Sequence, residues 1–321
     1  MNQTASVAII GGGMAGLACA TELAKRGIAS TVFDKGRGPG GRMATRRANV
    51  GETEVRFDHG AQYFTARDPA FIAVCDEWQT LGVVAPWAAA GSDALVGTPG
   101  MNEPIRHMAE TLDVRWGERV ESITRGGDQW RVTFGDASQN FAQIVVAVPA
   151  EQAAVLLADA APEIARQALA SESEPCWAIM AAFSEPLDIA ADVLRNRSAP
   201  IRWAARNGAK PGREGAESWV IHASPEYSRA ILEQSPEEVS AVMLAHFFDQ
   251  AGIAPVEPIH CAGHRWRFAK VPKVPGQGVG ELALWNAGSG LGVAGDWLVG
   301  PRVESAFLSG HALAKLIAQH P

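Results

Sequence analysis

The sequence predicts an α/β protein in which a Rossmann-like domain is joined to a second, mostly antiparallel α+β domain. Three observations carry that prediction. Val7-Ala8-Ile9-Ile10 is a continuous apolar run that ends on Gly11-Gly12-Gly13-Met14-Ala15-Gly16, so a buried strand turns into a helix through G-x-G-x-x-G. Thr31-Val32-Phe33 is a second apolar strand and delivers Asp34 about 20 residues after the glycines. Far downstream, Leu291 to Ala294 is another buried strand, and it runs into Gly295-Asp296. A last helix follows Gly300-Pro301, with Val303, Ala306, Phe307, Gly310, Leu313, Ala314 and Ile317 on its apolar face.

In the first unit each residue type has a physical job. Gly11 permits the tight turn, Gly13 lets a pyrophosphate approach the backbone, and Gly16 lets helix and strand pack closely. The helix carries Leu17, Ala20, Leu23 and Ala24 at helical spacing and stops near Gly27. Its first turn, Met14 and Ala15 included, offers free N–H groups and a positive dipole end to phosphates. Asp34 can accept bonds from ribose hydroxyls, with Lys35 beside it. Gly36-Arg37-Gly38-Pro39-Gly40-Gly41-Arg42 is too rich in glycine for regular structure. There Gly41 and Arg42 would put a planar donor fork beside the pyrophosphate. The glycine motif alone suits NAD as well as a flavin dinucleotide.

Composition bounds the rest. The chain has 321 residues, 47% of them hydrophobic and 20% charged, which supplies a substantial core and argues against extensive disorder. A net charge of −7 argues against broad affinity for nucleic acid or anionic membranes, although a local basic groove is compatible with it. Cys19, Cys75, Cys176 and Cys261 form no C-x-x-C pair and no zinc spacing, which fits a reduced cytoplasm and argues against disulfide-reductase chemistry. The first apolar run lacks the basic residues of a secretory leader, and no stretch approaches a membrane span.

Between the first and last units, Asp68-Pro69 starts a helix carrying Phe71, Ile72, Cys75 and Trp78. A further helix runs from Glu103 to Glu110, and strands are expected at Val114–Trp116, Val120–Thr124, Trp130–Phe134 and Ile144–Val148. Ala150 to Ala170 reads as one alanine-rich helix, and Ala178 to Phe183 as a strand of the second domain. That domain gathers Trp177, Trp203, Trp219, Tyr227 and Trp266, which suit either a core or the walls of a flat pocket. His264 and Arg265 fall on an expected strand, where a structural histidine is the default.

Taken together, GGGMAG, FDKGRGPGGRM (Phe33 to Met43) and DHGAQYFTARD (Asp58 to Asp68) resemble the flavin-dependent amine-oxidase superfamily, and more closely its renalase branch, particularly the bacterial members. WAARNGAKPGR (Trp203 to Arg213), WVIHASPEYS (Trp219 to Ser228), HRWRFA (His264 to Ala269) and GVAGDWLVGPRVESAFLSG (Gly292 to Gly310) extend the resemblance nearly end to end. It implies a discontinuous FAD-binding domain of residues 1–66, 97–155 and 285–321, and a substrate domain of 67–96 and 156–284. It also implies that Ala61 and Gln62 touch the cofactor, that Val120 pairs its backbone with adenine, that Asp296 bonds the ribityl chain, and that the helix from Val303 points its positive end at the flavin ring. No cysteine lies between Gly295 and Gly310, so FAD is expected to be held non-covalently.

The substrate expectation follows from the same resemblance. Renalases oxidise 1,2-dihydro and 1,6-dihydro isomers of NAD(P)H to NAD(P)+, with dioxygen reoxidising the flavin and yielding hydrogen peroxide. A dihydropyridine that loses hydride becomes aromatic, so no proton need be removed, and no general base stands out. Tyr63, Trp203, His264 and Trp297 are the candidates for the flat substrate slot. Two other readings stay open: an amine oxidase or desaturase, which would favour an acidic or aromatic cage for a cation, and a non-catalytic dinucleotide sensor.

Overall fold

A computed structural model describes residues 7–51, 53–196, 200–213, 215–272 and 281–319. Its central sheet has six strands in the order Leu284–Asn286, Leu291–Val293, Gln143–Val146, Val7–Ile10, Ser30–Asp34, Asp113–Trp116. All pair in parallel except the edge strand Leu284–Asn286. Val7–Ile10 is buried at every position, as a central parallel strand covered on both faces must be. From it the chain steps outward to Ser30–Asp34 and Asp113–Trp116, then returns to the opposite side. The order therefore reverses at Val7–Ile10, and a crevice opens beyond its carboxyl end.

The two faces of that strand enter different cores. Val7 and Ile9 pack with Leu17, Cys19, Leu313 and Ile317, from the helices Met14–Lys25 and Val303–Ala318. Ala8 and Ile10 pack with Phe33 of the neighbouring strand, with Trp130, Val132 and Phe141 of the three-stranded meander Val120–Gly126, Gln129–Phe134 and Ala137–Phe141, and with Ala153 and Leu157. The first and last helices approach until a side chain at Gly310 would meet Ala15 O at 1.9 Å. Gly310→Ala must therefore push the helices apart; we expect it to lower stability by about 1–3 kcal/mol. A shift of the urea midpoint measures this, and an unchanged midpoint would refute the close approach.

The second sheet is antiparallel, in the order Val193–Arg195, Ile201–Arg206, Glu217–Ala223, Glu174–Phe183, His260–Lys270. Strand alternation divides its residues. Trp177, Ile179, Ala181, Trp219 and Ile221 meet Val239, Met243 and Phe247 of the helix Pro236–Ala251. That helix begins with a Ser235/Glu238 capping box and ends at Gly252, whose φ of 70° is left-handed. Met180, Ala182 and Val220 face the other way, onto Val55 and Phe57 of the hairpin Thr45–Val50/Thr53–Asp58.

One expectation changes. Ala150 to Ala170 is not one helix: Pro162 cannot continue the turn before it, so Ala150–Leu157 stops and Pro162–Leu169 starts afresh. The helix Pro69–Thr80 packs in the core beneath the first and last helices, with Phe71 4.9 Å from Phe307 between ring centroids. Among the described residues, no helix is long and apolar enough to cross a membrane.

Candidate active site

The crevice at the strand reversal widens into a cavity of about 1010 Å³. Its walls come from the glycine turn, the Gly40–Met43 and Gly60–Thr65 loops, the start of the last helix and the inner face of the antiparallel sheet. The volume sits at the upper end of ordinary ligand pockets, enough for a long ligand with a guest beside it.

The glycine turn is built as its spacing requires. A side chain at Gly16 would lie 1.9 Å from Gly11 O, and one at Gly11 would lie 2.4 Å from Ala147 O, so both positions are closed by packing. Nothing lies within 4 Å of the side-chain direction at Gly13. Gly13 also caps the first helix without a side-chain bond to its free N–H groups, and Gly13, Met14 and Ala15 line the cavity. An open space over uncapped helix N–H groups fits a pyrophosphate. Gly41, with a φ of 51°, comes against Gly13 Cα.

Asp34 has a second task that sequence did not disclose. Oδ2 accepts Gly12 N–H at 2.7 Å and Oδ1 accepts Gly36 N–H at 2.6 Å, so the carboxylate clamps both loops. About two of its four lone-pair positions stay free for ribose hydroxyls. Lys35 is exposed and donates to Gln152 Oε1 at 3.0 Å. The Val120 side chain belongs to the core beside Phe33 and Ile144, which leaves only its backbone for a ligand.

Arg42 and Asp296 both line the cavity and meet each other in a two-pronged pair, at 2.9 and 2.5 Å. The loop after Asp34 is thereby tied to the start of the last crossover. Ala61, Gln62, Tyr63, Val303 and Ala306 line the next stretch. Gly60 makes this possible, because a side chain there would lie 2.1 Å from Arg42 O. Glu304, unremarked in sequence, is buried and accepts Arg67 N–H at 2.5 Å and Asp68 N–H at 2.7 Å, holding the end of the same loop.

Of the four slot candidates, Tyr63 and Trp203 line the cavity and face each other with ring centroids 5.5 Å apart and planes at 31°. His264 and Trp297 lie outside the lining. His264 stands behind Trp266, edge-on at 4.5 Å, with Nδ1 accepting from Arg46 at 3.3 Å. Trp297 is buried in the core with Val120, Ile144 and Leu291. The wall they were expected to form comes instead from Trp266 and His222. Trp266 Nε1 donates to His59 O at 2.9 Å, and His222 Nε2 shares that carbonyl at 3.2 Å. Burial pulls His222 down to about 4 and His59 to about 3, so both are neutral at pH 7. Alternation along HRWRFA places His264 and Trp266 on one face, but which of them reaches the cavity depends on where the strand crosses it.

Behind the loop is a buried charge cluster. Asp58 is fully buried and its Oδ2 accepts from Lys210 Nζ at 3.1 Å and Arg213 Nη2 at 2.5 Å. Its Oδ1 accepts from Thr45 Oγ1 and Met101 N–H at 2.7 and 2.9 Å. Lys210 also donates to Gln62 Oε1 at 3.2 Å, and Gln62 Nε2 donates to Asp58 O. The motif around Asp58 and the motif around Lys210 are thus two halves of one support for the cavity floor.

Comparison with known proteins agrees with this architecture. The family model for NAD(P)-binding Rossmann-like domains matches residues 9–78, and that for flavin containing amine oxidoreductases matches residues 87–318. The chain belongs to the flavin-containing amine oxidoreductase family. Membership makes it a flavin-dependent oxidoreductase with FAD as cofactor, in keeping with the open space over the first helical N–H groups. Three solved structures share the fold along almost their whole length. A proposed protoporphyrinogen oxidase from Exiguobacterium sp. 255-15 is 13% identical with a TM-score of 0.77, over 99% of this chain and 100% of that one. Cyclohexylamine oxidase from Brevibacterium oxydans IH-35A is 13% identical with a TM-score of 0.71, over 99% of each chain. Putrescine oxidase bound to putrescine is 15% identical with a TM-score of 0.70, over 97% of this chain and 98% of that one.

Proposed function

We propose that the protein is a renalase-like, FAD-dependent oxidase of dihydro-NAD(P) isomers, 1,2-dihydro or 1,6-dihydro, with the flavin held non-covalently. FAD, when bound, would supply the hydride acceptor and the route by which electrons reach dioxygen to give hydrogen peroxide. The chain's own part is to seat, orient and enclose. Gly13 and the first helix would hold the pyrophosphate, Arg42 and Asp296 the chain leading to the ring, and Ala61, Gln62 and Val303 the ring's surroundings.

The observation that carries the substrate reading is the charge of the cavity. Among the described residues, Arg42, Arg67, Arg195, Arg202, Lys270 and Arg302 line it, against Asp93 and Asp296; with Arg42, Lys270 and Arg302 paired to Asp296, Glu174 and Glu304, Arg67, Arg195 and Arg202 remain against Asp93. A positive cavity in a chain of net charge −7 suits an anionic dinucleotide and repels an ammonium ion. The pair of Tyr63 and Trp203 offers a flat apolar wall for a dihydropyridine. A ring that becomes aromatic on hydride loss asks for no base, and the lining histidine, His222, is neutral and engaged with His59 O.

The fold shared with putrescine and cyclohexylamine oxidases favours amine oxidation as the second reading. Rapid mixing separates the two. We expect anaerobic 1,2-dihydro-NAD to bleach the flavin within one turnover, and a panel of amines to leave it yellow. Bleaching by amines, with none by either dihydro isomer, would overturn the proposal.

A further inference from the structure

The hairpin Val193–Arg195/Ile201–Arg206 brings two arginines to the cavity mouth. The Arg195 guanidinium sits 4.7 Å over the centroid of Trp203 and 6.0 Å over that of Tyr63. One of its five N–H groups donates to Ala90 O. Arg202 emerges beside Cys176 and Pro225 on the same rim. Both arginines are exposed, and among the described residues no carboxylate forms an ion pair with either. Glu226 senses the Arg202 charge without pairing with it, and Asp93 is the acid that shares the mouth. Of the other lining cations, Arg42, Lys270 and Arg302 have carboxylate partners in Asp296, Glu174 and Glu304, while Arg67, like the two rim arginines, has no ion pair among the described residues.

We propose that Arg195 and Arg202 form a phosphate subsite that selects a nicotinamide nucleotide over the phosphate-free riboside. This rests on the dihydro-NAD(P) reading above. A pyridine ring in the slot beside Tyr63 and Trp203 would bring its ribose phosphate within reach of Arg195, which lies over the same two rings. The contact with Trp203 and the bond to Ala90 O hold the guanidinium in place and leave most of its donors free. A fixed planar fork matches two phosphate oxygens, which a lysine point charge does not. Arg202, on the paired strand, supplies the second positive charge that a pyrophosphate would require.

The test uses holoenzyme with nicotinamide mononucleotide, NAD+ and nicotinamide riboside, following the perturbation of the flavin spectrum as each is titrated. The dihydro form of each is then tried as a reductant. We expect both phosphorylated ligands to bind about 10-fold to 100-fold more tightly than the riboside, the range of a charge-assisted contact. That gap should shrink in Arg195→Gln and Arg202→Gln, persist in part in Arg195→Lys, and narrow with added salt in the wild type. Flavin content and melting temperature report whether each variant folds. Equal binding of mononucleotide and riboside, or a gap that survives both glutamine variants, overturns the subsite. An arginine-dependent gap without flavin reduction would support the subsite and remove the reaction. Equal reduction by riboside and nucleotide would do the reverse.

Discussion

Replacing Asp58 by alanine is expected to destabilise the protein by about 3–5 kcal/mol, because two buried cations would lose the buried anion they share. Asp58 and Lys210 are fully buried side chains and Arg213 is 2% exposed, so bulk solvent does not screen the charges left behind. Burial by itself would raise the Asp58 carboxyl. Lys210, Arg213 and the donors Met101 N–H and Thr45 Oγ1 more than reverse this and bring it down from 3.8 to about 2. Lys210 is the surplus cation: burial is the largest influence on it and lowers it from 10.5 to about 8, with Asp58 offsetting part of that. The Asp58 contribution is present above the ordinary carboxylate range and is lost as pH falls from 3.8 towards about 2. Burying charged Lys210 costs stability below about 8, and that cost fades as pH rises towards 10.5. Urea midpoints of the Asp58→Ala variant across acid and neutral pH should show a large neutral loss and a shallower acid slope. Adding Lys210→Met should recover part of the loss, since it removes one orphaned charge. Full stability in Asp58→Ala alone would show that the cluster does not hold the two motifs together.

This cluster also marks what could be read from sequence. The opening strand, turn, helix and second strand were legible because each is fixed by neighbours within about one turn: an apolar run, glycines where packing closes, an acid at a strand end. The last strand and helix were legible for the same reason. Asp58 and Lys210 are 152 positions apart, and nothing local in either motif says that one neutralises the other. The hairpin from Thr45 to Asp58 was missed although Val55 and Phe57 alternate with polar residues, because the strands are short and rich in arginine. The break before Pro162 could have been read from proline alone. Tyr63 and Trp203 line the cavity, whereas His264 and Trp297 lie outside its lining. A strand pattern gives the face of a residue, but not how far along the strand a pocket lies.

The cofactor cradle allows a sharper separation of folding from binding. Gly13 and Gly16 belong to one motif, yet the space around them differs completely. Nothing occupies the side-chain direction at Gly13, and its φ of −84° and ψ of −174° suit any L-residue, so Gly13→Val should fold as stably as the wild-type apoprotein. Its methyl groups would occupy the space left for the pyrophosphate, over the first helical N–H groups. A clash of about 1–3 kcal/mol lowers FAD affinity about 10-fold to 100-fold. Gly16→Ala meets Gly11 O at 1.9 Å, a backbone clash like that of Gly310→Ala, so it should lower the stability of the apoprotein itself by about 1–3 kcal/mol. Apoprotein melting curves and flavin reconstitution distinguish the two: the first variant melts normally and titrates weakly, while the second melts early before any flavin is added. If Gly13→Val takes up flavin like the wild type, the pyrophosphate does not lie over the start of the first helix, and the assignment of Arg42 and Asp296 to the chain beyond it falls as well.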